Sequence, residues 1–206
     1  MSRPLIISDC DEVLLHMIAP FKSWLAQVHD ITFTMNGNDF SKSMHHPDGS
    51  AVETRDMWRL LGAFFDTEMH RQTPIAGAVE AIKTLQTDAD VVILTNLENH
   101  RQEARVQQLA DFGLSLRVFT NQGPKGPAIR AILSEYQPSR AVFIDDIAQH
   151  HGSAAEITPD IHRLHLCGEP LLAPHIPCAH VAGHAHARID SWAEALPWIT
   201  RTLHGE

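Results

Sequence analysis

The sequence predicts an α/β protein: a three-layer core around a central parallel sheet of about five strands, with a small, mostly α-helical cap inserted after the first strand. Three observations lead there. Short β-branched apolar runs end in acids or hydroxyls, helical apolar patterns lie between them, and this alternation breaks once, between about residues 15 and 74. The runs 4–9, 90–95 and 140–145 have the length and composition of strands buried on both faces. Weaker runs at 116–120 and 161–166 complete the sheet. Val79, Ile82 and Leu85 mark one helix; Val106, Leu109 and Ala110 mark the next. Ile129, Ile132, Leu133 and Tyr136 follow the i, i+3, i+4, i+7 pattern, behind Pro127 at a first-turn position where its missing N–H costs nothing. Trp192, Ala195, Leu196 and Ile199 predict a last helix that Pro197 kinks or shortens. Alternating strands and helices imply right-handed crossovers.

The interruption has its own pattern. Phe21, Trp24, Leu25 and Val28 form one amphipathic stripe, and Met57, Leu60, Leu61, Phe64 and Phe65 another. A polar stretch, 36–50, separates them, and no buried-strand pattern occurs. The expected division is a core of residues 1–14 and 75–206 with a cap of residues 15–74.

Composition narrows the class. The chain has 206 residues, 44% hydrophobic and 20% charged, enough for a core that needs no disulfides. With 25 acids against 16 Lys and Arg, the formal charge is −9. A net acidic chain without a basic run is a poor binder of nucleic acid or anionic membrane. No apolar stretch is long enough to span a bilayer, and the apolar run near the N-terminus is too short for a signal peptide. Three cysteines without CxxC spacing fit a reducing cytoplasm. The sequence carries no sign of oligomeric state.

In open α/β sheets ligands bind beyond the carboxyl ends of the strands. The first strand runs into Asp9-Cys10-Asp11, whose two acids share one side of an extended segment. Another ends Thr95-Asn96, a third ends Asp145-Asp146, and Lys125 lies in a loop before a helix. Four carboxylates at one edge repel each other unless a cation joins them, and an all-oxygen set suits Mg²⁺. A metal, a lysine, a hydroxyl and a spare carboxylate are the parts phosphoryl transfer needs.

These motifs resemble those of the haloacid dehalogenase-like (HAD) superfamily. Asp9-Cys10-Asp11-Glu12-Val13 is similar to its motif I, Thr95-Asn96 to the end of motif II, Lys125 to the motif III lysine and Asp145-Asp146 to the DD form of motif IV, in the family's order. The resemblance implies a Rossmann-like core and a cap of the type placed between motifs I and II. It implies Asp9 as the nucleophile forming an aspartyl-phosphate and Asp11 as general acid and base. Thr95 and the Asn96 N–H would hold phosphate oxygens, and Lys125 would balance charge. Asp9, Asp145, Asp146 and the carbonyl of Asp11 would hold Mg²⁺. The expected function is a Mg²⁺-dependent phosphatase acting on a small phosphorylated metabolite. A phosphotransferase or mutase with the same intermediate, or a weakly active phosphate-ligand binding protein, are the alternatives.

Other residues invite readings too. Cys10 lacks the arginine six residues on that a cysteine phosphatase needs, since position 16 is His16, and is expected to be buried with a raised thiol pKa. The 15 histidines include a possible chelate, His184-Ala185-His186, and a pair, His45-His46, that could face substrate. His162 and His165 are expected on opposite faces of one strand. Lys22, Met35, Phe40, Met44, Arg55, Trp58 and Arg59 are candidates for the cap's substrate-facing surface.

Overall fold

Every apolar run that predicts a strand forms one in the computed structural model, which describes residues 2–35 and 42–205. In chain order the elements are β1 (Leu5–Ser8), α1 (Ile18–His29), β2 (Thr32–Phe33), β3 (Met44–His45), α2 (Thr54–Thr67), α3 (Ala78–Leu85), β4 (Asp90–Thr95), α4 (Gln102–Asp111), β5 (Arg117–Thr120), α5 (Gly126–Tyr136), β6 (Ala141–Asp145), α6 (Ala148–Ile157), β7 (His162–His165), β8 (Ala187–Arg188) and α7 (Trp192–His204).

The main sheet has six strands in the order β5-β4-β1-β6-β7-β8, all parallel. The sixth, β8, is two residues long and carries no apolar run that could announce it. Alternate residues of β1 feed opposite layers. Ile6 packs with α3, α4 and α7, whereas Leu5 and Ile7 pack with α5 and α6. Helix α6 left no stripe in the sequence because its buried residues are His150, His151 and Ala154. Pro197 lies inside α7, which runs on past it to His204. The proline forfeits one backbone bond early in the helix, while Trp192, Ala195, Ile199 and Leu203 bury the face that holds it.

Residues between β1 and α3 build a second apolar cluster. Phe21, Trp24 and Phe64 stand at its centre, with Phe64 5.4 Å from Phe21 and 5.8 Å from Trp24, ring to ring. It holds a short antiparallel pair, β2 and β3, absent from the sequence expectation because two-residue strands show no alternation. Val28, placed on the α1 stripe, is exposed. Leu97, Cys167 and Leu172 join this cluster from the sheet side, so the inserted segment rests on the loops after β4 and β7. No described helix is long and apolar enough to cross a membrane.

Candidate active site

The chain runs from β1 outward to β4 and β5, then returns to the other side of β1 for β6, β7 and β8. In open sheets a ligand crevice forms at such a reversal, here the carboxyl ends of β1, β4 and β6. The register pairs Ser8 with Ile93 and Ile144, so Asp9 emerges level with the ends of both neighbours. Its N–H donates to the Ile144 carbonyl at 2.8 Å.

Lys125, at the start of α5, is fully buried and joins two of the acids. Its Nζ lies 2.9 Å from Asp9 Oδ1 and 2.7 Å from Asp145 Oδ2. Close packing delivers it there: a Cβ on the next residue, Gly126, would lie 2.4 Å from the Ser153 carbonyl oxygen, so only glycine lets α5 approach α6 this closely. Asp9 Oδ1 also accepts from the Cys10 N–H at 2.7 Å. Among the described residues no donor reaches Asp9 Oδ2. Asp145 Oδ1 accepts from the Ile147 N–H at 2.8 Å.

Burial pushes Asp9 up to about 7, against the pull of Lys125 and with help from the charges of Asp145 and Asp11. Burial also acts to raise Asp145, but Lys125 and the histidines beside it bring it below its ordinary value. Burial and the neighbouring acids Asp145, Asp9 and Glu12 raise Asp146 well above its own. Burial disfavours the Lys125 ammonium, yet Asp145 and Asp9 more than compensate and raise its pKa.

Asp11 faces another set of partners. Nη2 of Arg105, from α4, donates to its Oδ1 and Oδ2 at 3.0 and 3.2 Å. Gln72 Nε2 donates to Asp11 Oδ1 at 2.6 Å, and Gln72 Oε1 accepts from Arg105 Nη2 at 3.2 Å. Arg105 is wholly buried, while the Asp11 side chain stays 16% exposed. Arg105 Nη1 also contacts Cys10 Sγ at 2.7 Å. Cys10 is buried as expected, and burial pushes its thiol up to about 12, which removes it as a nucleophile. Neither Arg105 nor Gln72 was among the sequence candidates. Each lies inside a helical or linker stretch with no motif of its own.

The remaining sequence candidates divide. Thr95 ends β4 and is buried. Asn96 is exposed; its side chain donates to the Gly123 carbonyl at 3.0 Å and accepts from Asn121 at 2.8 Å, which ties the loop after β4 to the loop bearing Lys125. Met44 is fully buried within the inserted segment, so it is core there and not a substrate-facing residue. Trp58, Lys22, Arg55 and Arg59 are exposed, and Phe40 lies outside the described residues. His184 and His186 do not join as a chelate: His186 Nδ1 accepts from the Arg163 N–H at 3.0 Å, and His184 lies against Gly152. His162 and His165 have separate partners, His162 beside His186 and His165 beside His151.

The acids at the edge fit a hard dication. Asp9, Asp145 and Asp146 each offer a ligand oxygen, all within 4.8 Å of one another. Asp146 Oδ1 is buried with no hydrogen-bond partner among the described residues, an arrangement that is costly unless a cation completes it. Asp11 is not in this set through its carboxylate, which Arg105 and Gln72 hold.

No family model matches the sequence, and no curated protein matches it significantly. Solved structures do match, among them haloacid dehalogenase-like hydrolases. A haloacid dehalogenase-like family hydrolase of Streptococcus pneumoniae superposes with a TM-score of 0.68 at 10% identity, over 96% of this chain and 98% of that one. A HAD family hydrolase of Deinococcus radiodurans R1, solved with bound phosphate and sodium, gives 0.63 at 20% identity, over 97% and 96%. A structure from Haemophilus somnus 129PT named as a predicted phosphoglycolate phosphatase gives 0.60 at 13%, over 95% and 97%. At these identities the likeness establishes the fold: the chain has the HAD-like architecture along nearly its whole length.

Proposed function

We propose that this protein is a phosphomonoester hydrolase that works through an aspartyl-phosphate on Asp9, with residues 15–74 as its cap. The observation that carries the proposal is the arrangement of Asp9: one oxygen is held by Lys125 and the Cys10 N–H, no donor among the described residues reaches the other, and Asp145 and Asp146 stand beside it. A carboxylate so fixed is oriented for attack, and a buried lysine beside it is available to charge that builds on a transferring phosphoryl group.

Asp9, Asp145, Asp146 and the Asp11 carbonyl would hold Mg²⁺. When bound, the ion neutralises phosphate oxygens and the edge carboxylates. Asp9 Oδ2 forms a bond to phosphorus as the ester P–O bond breaks, and Asp11 gives the leaving oxygen its proton. Asp11 then takes a proton from water as that water attacks the aspartyl-phosphate, releasing phosphate and restoring Asp9. Thr95 and the Asn96 N–H would hold phosphate oxygens through both steps. Arg105 and Gln72 act as positioning residues: they hold the Asp11 carboxylate, whose side chain stays 16% exposed. The inserted segment would exclude water and read the leaving group.

The test is a panel of small phosphate esters with Mg²⁺ or with EDTA, run on the native chain and on Asp9→Asn. Turnover that needs Mg²⁺ and vanishes in Asp9→Asn is expected, with the fold intact by circular dichroism. Activity retained in Asp9→Asn refutes the mechanism. Phosphate release measured with and without an added alcohol separates hydrolysis from phosphotransfer.

A further inference from the structure

We propose that Glu12, His16 and Glu169 form a second cation site, separate from the Asp9–Asp145–Asp146 set, which takes a borderline transition-metal dication such as Zn²⁺ at the base of the inserted segment. The three residues come from two distant pieces of chain. Glu12 and His16 lie on the linker that leaves β1 for α1, and Glu169 on the loop after β7. The backbones are joined there by the Gly168 N–H, which donates to the Glu12 carbonyl at 2.7 Å.

One ligand atom from each residue lies within 4.8 Å of the other two. Both carboxylates are anchored by backbone amides through one oxygen. Glu12 Oε1 accepts from the N–H groups of Met17 and Ile18, at 3.1 and 2.6 Å, at the start of α1. Glu169 Oε1 accepts from the Leu171 N–H at 2.9 Å. Such anchoring leaves one oxygen of each acid for another partner and orients it in advance, as outer hydrogen bonds do in metal sites. Glu169 Oε2 lies 2.8 Å from His16 Nδ1. Glu12 Oε2 is buried, on a side chain only 2% exposed, and has no partner among the described residues.

A simple histidine–glutamate ion pair accounts for His16 and Glu169 but leaves that Glu12 oxygen unexplained. A cation accounts for all three. One imidazole nitrogen with two carboxylate oxygens is a donor set for Zn²⁺, Mn²⁺ or Fe²⁺, whereas the all-oxygen set at Asp9 suits Mg²⁺. The His16 side chain is 25% exposed, which gives an ion a way in. A bound ion would tie the first linker of the inserted segment to the loop after β7.

The experiment is calorimetric titration of the EDTA-stripped, dialysed full chain with Zn²⁺, in Mg²⁺ sufficient to fill the Asp9 site. One Mg²⁺-insensitive equivalent is expected, weakened at least ~10-fold in both Glu169→Gln and His16→Ala and kept in Asp145→Asn. Every other histidine is present in Glu169→Gln, so adventitious surface binding cancels in the comparison. Co²⁺ added instead should give a visible d–d band in the native chain that His16→Ala lacks. Binding unchanged in both variants overturns the site, and loss of that equivalent in Asp145→Asn overturns its separateness. Because none of these readings measures turnover, the proposal stands or falls independently of the phosphatase reading.

Discussion

Replacing Arg105 with methionine tests how the proposed acid–base residue is held. Among the described residues the guanidinium makes four hydrogen-bond contacts: two to the Asp11 carboxylate, one to Gln72 Oε1 and one to Cys10 Sγ. Methionine fills much of the volume and removes the buried charge. Breaking a sealed ion pair costs roughly 3–5 kcal/mol because the remaining charge is stranded. Asp11 is not sealed. Its side chain is 16% exposed and it keeps the 2.6 Å bond from Gln72, so water can take over part of the lost contact. The expected stability loss is therefore about 2 kcal/mol, below the sealed-pair range. Catalysis should suffer more selectively. General acid–base help is worth roughly 10²–10⁴-fold, and an acid is needed least when the leaving group is already a weak base. We expect kcat/KM, which reports only steps through the first irreversible one, to fall ~10²-fold for phenyl phosphate but no more than ~10-fold for p-nitrophenyl phosphate. Arg105→Lys should recover part of the phenyl phosphate rate, since a lysine restores the charge but not the planar fork. Equal losses for both esters, with the fold intact, would refute the positioning role and leave Arg105 a purely structural residue.

Three further outcomes follow from the geometry. Burial holds Asp9 at about 7, above the ordinary aspartate value of 3.8, and Glu12 at about 8 against 4.5. A raised acid favours the fold while protonated, so without a divalent ion stability should fall as pH rises from about 4 toward 8; Mg²⁺ should raise Tm more at pH 8 than at pH 5, and equal shifts at both would contradict the linkage. Gly126→Ala puts a Cβ 2.4 Å from the Ser153 carbonyl oxygen, which must push α5 from α6 and move Lys125; a stability loss of about 1–3 kcal/mol in denaturant melts, with reduced turnover, is expected. Phe64→Ala empties the centre of the second apolar cluster and should cost about 3–5 kcal/mol, read as a lower urea midpoint.

The sequence determined by itself whatever is encoded locally. A β-branched run that ends in an acid or a hydroxyl marks both a buried strand and a candidate functional group, so β1, β4 and β6 and the candidates Asp9, Thr95 and Asp145 at their ends could be read together. Lys125 was legible because a glycine-proline helix start follows it. The two-residue β2, β3 and β8 were not, because periodicity needs more residues than they have, and α6 was hidden by histidines that occupy its buried face. What the tertiary structure alone decided is which side chains steady the site. Arg105 reaches Asp11 across 94 positions, Gln72 across 61, and Glu169 meets His16 across 153. No local pattern marks such residues, since each is an ordinary member of its helix, linker or loop. They become partners only when crossover connections bring those elements to the carboxyl edge of one sheet, where burial turns an unremarkable arginine, glutamine or glutamate into the required counterpart of a buried charge.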